Sequence, residues 1–393
     1  MWTTSGALHR SIAACAAACL AATGCYESDK PSSGCPGGEV VFADENLEAA
    51  VRDALDQPDG ALCADDLASL TSLDASLRGI VDLEGIQALT SLIGLDLDQN
   101  QIDDLGPLAS LTSLRSLILS YNEIDDVTPL SHLTSLKSLM LSSNQIDDLD
   151  ALAGLASLTS LSLDDNEIGD VTALSGLTSM TQLNLSYNQV ADLTALAGMS
   201  SLTELHLSNN QVDDLAPLAG LTSLTRLEAD VNLISDVSPL AGLTSLFWLD
   251  LTFNNVSDVT PLADLSGLAS LILPNNQISD VSPLAALTSL NGLDLSTNQI
   301  VDVSPLAALT SLPWLDLSSN QIVDIGPLSS LTSLNGLGLS DNQISDLGPL
   351  VDDEGIGDGD SVDVTGDPID ETAQADNIAA LCARGVALDP FCE

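Results

Sequence analysis

Asparagine recurs every 22 residues through most of this 393-residue chain. The copies are Asn100, Asn122, Asn144, Asn166, Asn188, Asn210, Asn232, Asn254, Asn276, Asn298, Asn320 and Asn342. An interval that never slips predicts stacked copies of one supersecondary unit, because a single unit cannot bury its apolar face alone. The chain should therefore form one solenoid closed by a cap at each end.

The residues around each asparagine follow the pattern L-x-x-L-x-L-x-x-N-x-[IV]-x-D-[VLI]-x-[PA]-L-x-x-[LM], as between Leu114 and Leu133. This pattern resembles the bacterial, internalin-like class of leucine-rich repeat proteins. The resemblance implies an α/β fold: a right-handed leucine-rich repeat solenoid with parallel β-strands on the concave face and short 3-10 or turn segments on the convex face. It also implies a helical N-terminal cap over 39–69 and repeats over 70–350, one degenerate and twelve regular. A capping repeat and helix follow over 351–393.

The repeated asparagine has a physical reason to be invariant within the chain. Its side-chain amide both donates and accepts hydrogen bonds, so it can satisfy backbone groups at the turn that follows each strand. We expect the stacked amides to form a ladder that joins each coil to its neighbours.

An aspartate stands four residues after every asparagine. These residues are Asp104, Asp126, Asp148, Asp170, Asp192, Asp214, Asp236, Asp258, Asp280, Asp302, Asp324 and Asp346. We expect them to cap the convex turns by accepting backbone N–H bonds, and the alternative is a ladder of calcium ligands. The acidic segment 352–360 does not fit an EF-hand loop, since Ile356 occupies its fifth position, so we expect a solvated loop.

Both ends of the chain carry recognisable capping patterns. Asp44 precedes a predicted helix in which Leu47, Val51 and Leu55 form an apolar stripe. In the degenerate first coil Arg78 replaces the asparagine, and Asp367 replaces it in a final coil stretched to 25 residues. Residues 374–383 should form a closing helix that ends before a glycine at 385.

The N-terminal segment has the features of an export signal. Residues 1–24 contain a short apolar run that is too short to cross a membrane, and residues 25–38 are rich in Gly, Ser and Pro, as in a tether. The sequence before Cys25 resembles the bacterial lipoprotein processing box, which implies lipidation of that cysteine. Plain signal cleavage and a buried core segment are the alternatives. The lipid would make the protein an anchored component of the bacterial envelope, at the outer membrane or cell surface.

Four cysteines remain after Cys25 and the signal segment are set aside: Cys35, Cys63, Cys382 and Cys392. About 13 coils at roughly 4.8 Å each would separate the two ends by about 60 Å. A disulfide needs Cα atoms within about 7 Å, so the expected pairs are Cys35–Cys63 and Cys382–Cys392. A zinc site is the weaker alternative, because no CxxC pair or nearby histidine accompanies these cysteines.

The formal charge of −49 excludes classes of partner. Nucleic acid and anionic lipid both require clustered Lys and Arg, so neither is expected as a partner, and membrane contact would come only through the lipid. The excess of acid predicts a basic or cation-bridged partner. Its alternative explanation is solubility in a salty or divalent-rich medium.

The outward strand positions lie six, four and two residues before each asparagine and should line the concave face. Aromatic residues make up only 3% of the chain, so their appearance in or beside these columns is informative. Exposed Trp, Tyr and Arg are typical of binding hot spots, although a solenoid edge also tolerates scattered aromatics. The candidate ligand-binding residues are Tyr121, Gln182, Asn184, Tyr187, Glu204, His206, Arg226, Glu228, Trp248, Asp250, Phe253 and Trp314.

These patterns predict noncatalytic recognition of a protein or glycan by a monomer without cofactor, metal or catalytic residues. A structural or adhesive envelope spacer with no single ligand is the first alternative. It predicts uniform Ser, Thr and Asp columns, which the stretch from Gln182 to Phe253 interrupts. An enzyme using His206 with a neighbouring acid on a metal is the second, and it lacks a further histidine nearby.

Anchoring can be tested by substituting the sulfur that would carry the lipid. Cys25→Ser should release the protein or leave it unprocessed, and metabolic labelling with a fatty acid should no longer mark it. Labelling that persists in Cys25→Ser would contradict lipidation at this residue.

Overall fold

The computed structural model describes Cys35 and residues 38–392. The predicted signal peptide and the lipidation site at Cys25 lie outside these described residues. No helix in the described part of the chain has both the length and the apolar character needed to cross a bilayer.

Fifteen short strands of the described residues form a single sheet in chain order, and every strand runs parallel to its neighbours. The strands are β1 (Ser72–Asp74), β2 (Gly94–Asp96), β3 (Ser116–Ile118), β4 (Ser138–Met140), β5 (Ser160–Ser162), β6 (Gln182–Asn184), β7 (Glu204–His206), β8 (Arg226–Glu228), β9 (Trp248–Asp250), β10 (Ser270–Ile272), β11 (Gly292–Asp294), β12 (Trp314–Asp316), β13 (Gly336–Gly338), β14 (Ser361–Asp363) and β15 (Ala387–Asp389). The predicted leucine-rich repeat solenoid is thereby confirmed.

The register of the sheet follows the sequence interval. Leu117 pairs with Leu139, and Leu139 with Leu161, each partner lying 22 residues further along. The central side chain of these strands points inward and is buried, while the residues on either side point outward. The leucines stack into one continuous core that runs the length of the solenoid.

The convex side consists mostly of short 3-10 helices. They span Ile86–Ala88, Gly106–Leu108, Thr128–His132, Asp150–Leu152, Thr172–Gly176, Thr194–Gly198, Ala216–Leu218, Ser238–Gly242, Thr260–Leu262, Ser282–Ala286, Ser304–Ala308 and Gly326–Ser330. Proline occupies the first turn of most of them, where its missing N–H costs no hydrogen bond.

The repeated asparagines form the expected ladder between coils. Asn122 Nδ2 donates to the backbone oxygens of Leu119 and Ser120 in its own coil, at 3.0 and 3.2 Å, and to that of Leu97 in the preceding coil, at 3.0 Å. Its Oδ1 accepts the N–H of Ile102 at 3.0 Å. One side chain therefore satisfies buried backbone groups in two consecutive coils.

A left-handed residue precedes each repeated asparagine, which the sequence did not reveal. At these twelve positions φ lies between 50° and 58°, although none is glycine. They include Val231, whose β-branched side chain disfavours this conformation. The neighbouring asparagine fixes this turn through its hydrogen bonds to the backbone. The identity of the left-handed residue therefore matters less than the amide beside it.

The repeated aspartates cap the convex turns, as predicted. In all twelve, Oδ1 accepts the backbone N–H two residues later at 2.7–2.8 Å. Where that later residue is Ser or Thr, its hydroxyl and N–H together lower the pKa of the aspartate, as at Asp126 and Asp258. Among the described residues, no group of three or more His, Cys, Asp or Glu is placed to hold a metal ion.

The N-terminal end of the core is covered by helix α1 (Glu45–Leu55), followed by the short α2 (Ala64–Leu67). Asp44 caps α1 as predicted, since its Oδ1 accepts the N–H groups of Asn46 and Leu47 at 2.7 and 3.1 Å. Its Oδ2 accepts the N–H of Val81 at 2.9 Å and so ties the helix to the first coil. The Cys35–Cys63 disulfide joins the chain before α1 to the start of α2.

The C-terminal end is covered by α3 (Gly348–Asp352) and α4 (Ala375–Ala383), and the second predicted disulfide, Cys382–Cys392, closes it. Strand β15 was not predicted and adds one more strand beyond the closing helix. The expectation of a solvated acidic loop over 352–360 was wrong at Asp353, which is 1% exposed. Arg384 donates to the Asp353 backbone oxygen at 2.8 Å and holds this loop against α4.

Asp367 occupies the last ladder position, in place of asparagine. Its Oδ1 accepts the N–H of Ile344 at 2.8 Å, as an asparagine oxygen would. Its Oδ2 is buried without a hydrogen-bond partner in the described structure, where an asparagine would present a donor. Burial raises its pKa to about 6, an effect only partly offset by backbone N–H groups.

We predict that Asp367→Asn stabilises the protein at pH 8 and has little effect near pH 4. An acid whose pKa is higher in the folded than in the unfolded state contributes stability below its unfolded pKa and loses it as pH rises through the folded value. The variant should therefore gain about 1 kcal/mol above pH 6, a figure reduced for partial solvent exposure. Thermal unfolding of both proteins across pH 4–8 measures the difference, and a difference independent of pH would contradict the assignment.

We further predict that NaCl raises the melting temperature, because salt screens the mutual repulsion of a chain with a formal charge of −49. Calcium chloride at matched ionic strength should have the same effect if the aspartates act as caps. A larger rise with calcium would indicate metal binding, and no response to either salt would contradict the repulsion argument.

Candidate ligand-binding face

The concave face consists of the first and third residues of each strand, which point away from the leucine core. In strands β2 to β5 these positions carry mainly Gly, Ser, Ile and Met. In strands β6 to β9 they carry larger polar and aromatic side chains, which we call the central cluster. Its members are Gln182, Asn184, Glu204, His206, Arg226, Glu228, Trp248 and Asp250. All eight were predicted, and the sheet brings them together on adjacent strands.

Glu228 organises the middle of the central cluster. His206 lies opposite it on β7, with Nδ1 2.5 Å from Oε2. Arg226 Nε donates to Oε1 at 2.8 Å from the same strand, so Arg226 pairs with Glu228 and not with Glu204 across the sheet. Burial acts to raise the pKa of Glu228, but the His206 and Arg226 hydrogen bonds outweigh it and the net pKa is lowered. Glu228 therefore stays ionised and holds both partners in place.

Trp248 lies beside this ion pair and is covered by it. The Arg226 guanidinium carbon sits 4.6 Å from the centre of the indole ring, which is a cation–π contact. Trp248 points outward as predicted, yet it is only partly exposed, and its Nε1 is buried without a partner in the described structure. The neighbouring strand explains this cover, since β8 places Arg226 directly opposite Trp248.

Asp250 is the third residue of β9 and lies opposite Glu228 of β8. Its Oδ1 accepts the backbone N–H and the hydroxyl of Thr252 at 2.9 and 2.6 Å. Burial raises its pKa more than these hydrogen bonds lower it, and the charges of Asp230 and Glu228 raise it further. A cationic group placed here would relieve this repulsion.

The other end of the central cluster borders a shallow depression of about 190 Å³. Gln182, Asn184, Glu204 and His206 line it. Asn184 is engaged within the protein, because its Nδ2 donates to Asp164 at 3.0 Å. This part of the face therefore offers polar side chains in a shallow setting, without an enclosed cavity.

The remaining predicted aromatics are exposed but spread along the solenoid. Tyr121, Tyr187 and Phe253 occupy the left-handed turn positions at the strand exits and are 57%, 59% and 56% exposed. Phe253 adjoins the central cluster at the exit of β9, and Tyr187 follows β6. Trp314 lies on β12, three strands from Trp248, so about 14 Å of sheet separates them.

Two exposed apolar residues beside the central cluster were missed. Val231 lies one coil before Phe253 at the equivalent turn position, and Leu233 follows two residues later. They are 40% and 55% exposed. The sequence signal was available, since most coils carry a polar residue where Val231 stands.

The chemistry of this face is that of a binding surface. Within the central cluster, Glu228 is hydrogen-bonded to His206 and Arg226, and Asp250 accepts the hydroxyl of Thr252. Among the described residues no carboxylate, histidine and cysteine side chains are grouped as metal ligands.

Comparisons with known proteins agree with this architecture. The family model described as "Leucine Rich repeats (2 copies)" matches residues 112–154, 156–198, 200–242, 266–308 and 310–351. No curated protein sequence matches significantly.

Solved structures from bacteria are similar to the chain. An internalin (inlF) from Listeria monocytogenes is 36% identical with a TM-score of 0.79, over 80% of this chain and 94% of that one. The functional domain of InlJ from the same organism is 25% identical with a TM-score of 0.61, over 82% and 80%. A leucine-rich repeat protein of Leptospira interrogans shares the fold at 23% identity and a TM-score of 0.73, over 79% and 82%.

The InlJ domain is described as including a cysteine ladder, whereas residues 64–381 of this chain contain no cysteine and carry an asparagine ladder instead. Repeat domains of this kind are generally protein-binding and noncatalytic. The repeat pattern, the single parallel sheet and these similarities together place the chain in the leucine-rich repeat family, as an internalin-like member.

Proposed function

We propose that this protein recognises a protein ligand, without catalysis, through its concave face. The observation that carries the proposal is the central cluster on strands β6 to β9. There the sheet presents Trp, Arg, His, Gln and acidic side chains, whereas earlier coils present mainly small residues. Glycan recognition is the variant of this proposal that the same aromatic side chains would serve.

Packing does not require these side chains. The core is filled by leucines at the central strand positions, and the asparagine ladder satisfies the turns. A coil with serine at both outward positions, such as β5 with Ser160 and Ser162, keeps the same register. Serine at these positions would therefore be sufficient to form the coil, and folding does not require the large side chains of the central cluster.

The central cluster and the exposed apolar residues beside it disfavour the two alternatives. A spacer without a ligand would need only uniform polar columns, and Trp248, Phe253 and Val231 depart from them. An enzyme would need a free acid or base beside an enclosed cavity, whereas His206 is bonded to Glu228 and the depression next to it is shallow.

Export and lipid anchoring form part of the proposal. They rest on the sequence of residues 1–25, which lie outside the described residues. The disulfides at the two caps support passage into an oxidising compartment, where such bonds persist. The acidic balance of the chain supports a protein partner with a basic surface in preference to nucleic acid.

The partner can be identified by photo-crosslinking at two positions of nearly equal exposure. A photoreactive residue at Phe253, 56% exposed beside the central cluster, should capture the partner. The same residue at Val301, 55% exposed on the turn after the asparagine of another coil, should not. Equal capture at both positions would contradict recognition by the concave face.

We predict that Trp248→Ala weakens binding of that partner by about tenfold or more, because buried Trp is a frequent hot spot. The melting temperature should change little, since Trp248 lies on the outer face. Asn254→Leu is the matched control in the same coil, because it breaks hydrogen bonds to Ala229, Leu251 and Ile234. It should lower the free energy of unfolding by roughly 1–3 kcal/mol or more.

Binding measurements and thermal unfolding of both variants decide the result. If Trp248→Ala unfolds the protein, the residue belongs to the core. If it alters neither binding nor stability, the spacer becomes the better explanation.

A further inference from the structure

The concave face contains two tryptophan sites of the same construction. In the first, Trp248 begins β9, with Arg226 opposite it on β8, and the third positions of the two strands carry Glu228 and Asp250. In the second, Trp314 begins β12 and pairs with Gly292 of β11. The third positions there carry Asp294 and Asp316, which also lie directly opposite each other. The preceding strand differs between the two sites: the arginine opposite the tryptophan is replaced by a glycine, and the glutamate at the third position by an aspartate.

The first site shows how this construction holds a guanidinium group. Arg226 lies over the Trp248 ring at 4.6 Å and donates to the Glu228 carboxylate at 2.8 Å. The ring face attracts the positive charge while the carboxylate fixes the planar N–H groups. The arginine that fills the site belongs to the chain itself.

The second site has the tryptophan and the carboxylates without the cation. Gly292 has no side chain to lay over Trp314, which is 43% exposed. The indole ring reaches towards both neighbouring strands, because a Cβ on Gly336 would lie 2.9 Å from Trp314 Cδ1 and one on Gly292 would lie 3.8 Å from Cε3. The two glycines thus leave room for the ring to lie across the sheet with an open surface.

The carboxylates of the second site have no cationic partner within the described residues. Asp294 and Asp316 each use Oδ1 to accept the backbone N–H two residues later, from Ser296 and Ser318 at 2.9 Å. Neither takes part in an ion pair of the described chain. Burial raises the pKa of Asp294 above its ordinary value, and the charge of Asp316 adds to this despite the Ser296 hydrogen bonds.

Lysine and arginine are scarce in the described part of the chain. The residues are Arg52, Arg78, Arg115, Lys137, Arg226 and Arg384. Only Arg226 lies in a strand of the sheet. None of the described lysines and arginines supplies a cation to the second site, and the chain's strong negative charge favours the approach of one from another molecule.

We propose that Trp314, Asp294 and Asp316 form a subsite for an arginine side chain of the protein partner, whose guanidinium takes the place over Trp314 that Arg226 takes over Trp248. The proposal rests on the proposed function and names the partner as a polypeptide with an exposed arginine. Arginine is favoured over lysine because its planar group stacks on an indole and pairs with a carboxylate at the same time.

The probe is a blocked tetra-arginine peptide, with binding to the full-length protein measured by calorimetry at low salt. Gly292→Arg is the most informative variant, because it supplies the missing arginine from the chain itself. A Cβ at this position meets nothing closer than 3.8 Å, so the substitution fits the backbone. Gly292→Arg and Trp314→Ala should each weaken peptide binding by about tenfold or more, as expected when a cation–π site is filled or removed.

A charge-matched pair of variants separates this subsite from general attraction. Asp294→Asn with Asp316→Asn removes two charges beside Trp314 and should also weaken binding strongly. Asp302→Asn with Asp324→Asn removes two charges from the convex caps, and asparagine keeps the oxygen that accepts the backbone N–H. The second pair should change affinity by less than about twofold, since exposed distant charges are screened.

Several outcomes would overturn the proposal. They are wild-type peptide affinity in Gly292→Arg or Trp314→Ala, equal losses in the two charge-matched pairs, and no measurable binding of the peptide. Displacement of the peptide by tetramethylammonium as readily as by free arginine would assign the site to quaternary ammonium groups instead. Unfolding curves show whether each variant is folded. If Gly292→Arg does not fold, Trp314→Ala and the double variant Asp294→Asn with Asp316→Asn test the subsite.

The same variants distinguish this inference from the proposed function. If the crosslinked partner binds Gly292→Arg normally but loses affinity for Trp248→Ala, the concave face recognises a protein and the arginine subsite is wrong. If the partner's affinity is unchanged in both variants, the proposed function itself fails.

Discussion

The fold depends on the side-chain amide of the repeated asparagine. Each amide donates to carbonyl groups of its own coil and of the coil before it, and accepts an N–H from that preceding coil, as Asn254 does with Ala229, Leu251 and Ile234. A turn packed against a leucine core cannot leave these groups unpaired without a cost of about 1–3 kcal/mol each. The ladder therefore fixes the turn, and the turn fixes the 22-residue register that stacks the leucines.

Because the asparagine ladder and the leucine core hold each coil in place, the side chains of the concave face are free to vary. In each three-residue strand the central side chain packs in the core, and the other two side chains point outward. The coil at β5 with serines and the coil at β9 with Trp248 and Asp250 pair with their neighbours in the same parallel register. Ligand specificity can therefore change from coil to coil without loss of the fold, which is why the central cluster is informative about function.

The aspartates on the two faces of the solenoid lie in different environments. Aspartates on the convex side accept backbone N–H groups in exposed turns, where hydrogen bonds lower the pKa of residues such as Asp126. On the concave face, burial raises the pKa of Asp250 and Asp294. Aspartates on both faces accept a backbone N–H two residues later, but the concave carboxylates are partly buried, so a nearby cation would favour their charged form.

The sequence by itself determined the solenoid, the direction in which each strand side chain points, the asparagine ladder and the aspartate caps. Each follows from a local periodic pattern whose physical requirement repeats in every coil. The two disulfides followed from the length of the stack.

Only the tertiary structure decided how outward residues of adjacent strands meet, because those contacts depend on side-chain placement and not on periodicity. It placed Arg226 over Trp248 and on Glu228, left Trp314 open between two glycines, and buried Asp353, whose backbone oxygen accepts a hydrogen bond from Arg384. It also showed that the residue before each asparagine is left-handed. Asn or Asp, which favour this conformation, stand at only four of the twelve positions, and elsewhere the amide beside the residue supplies the stabilisation that glycine would otherwise provide.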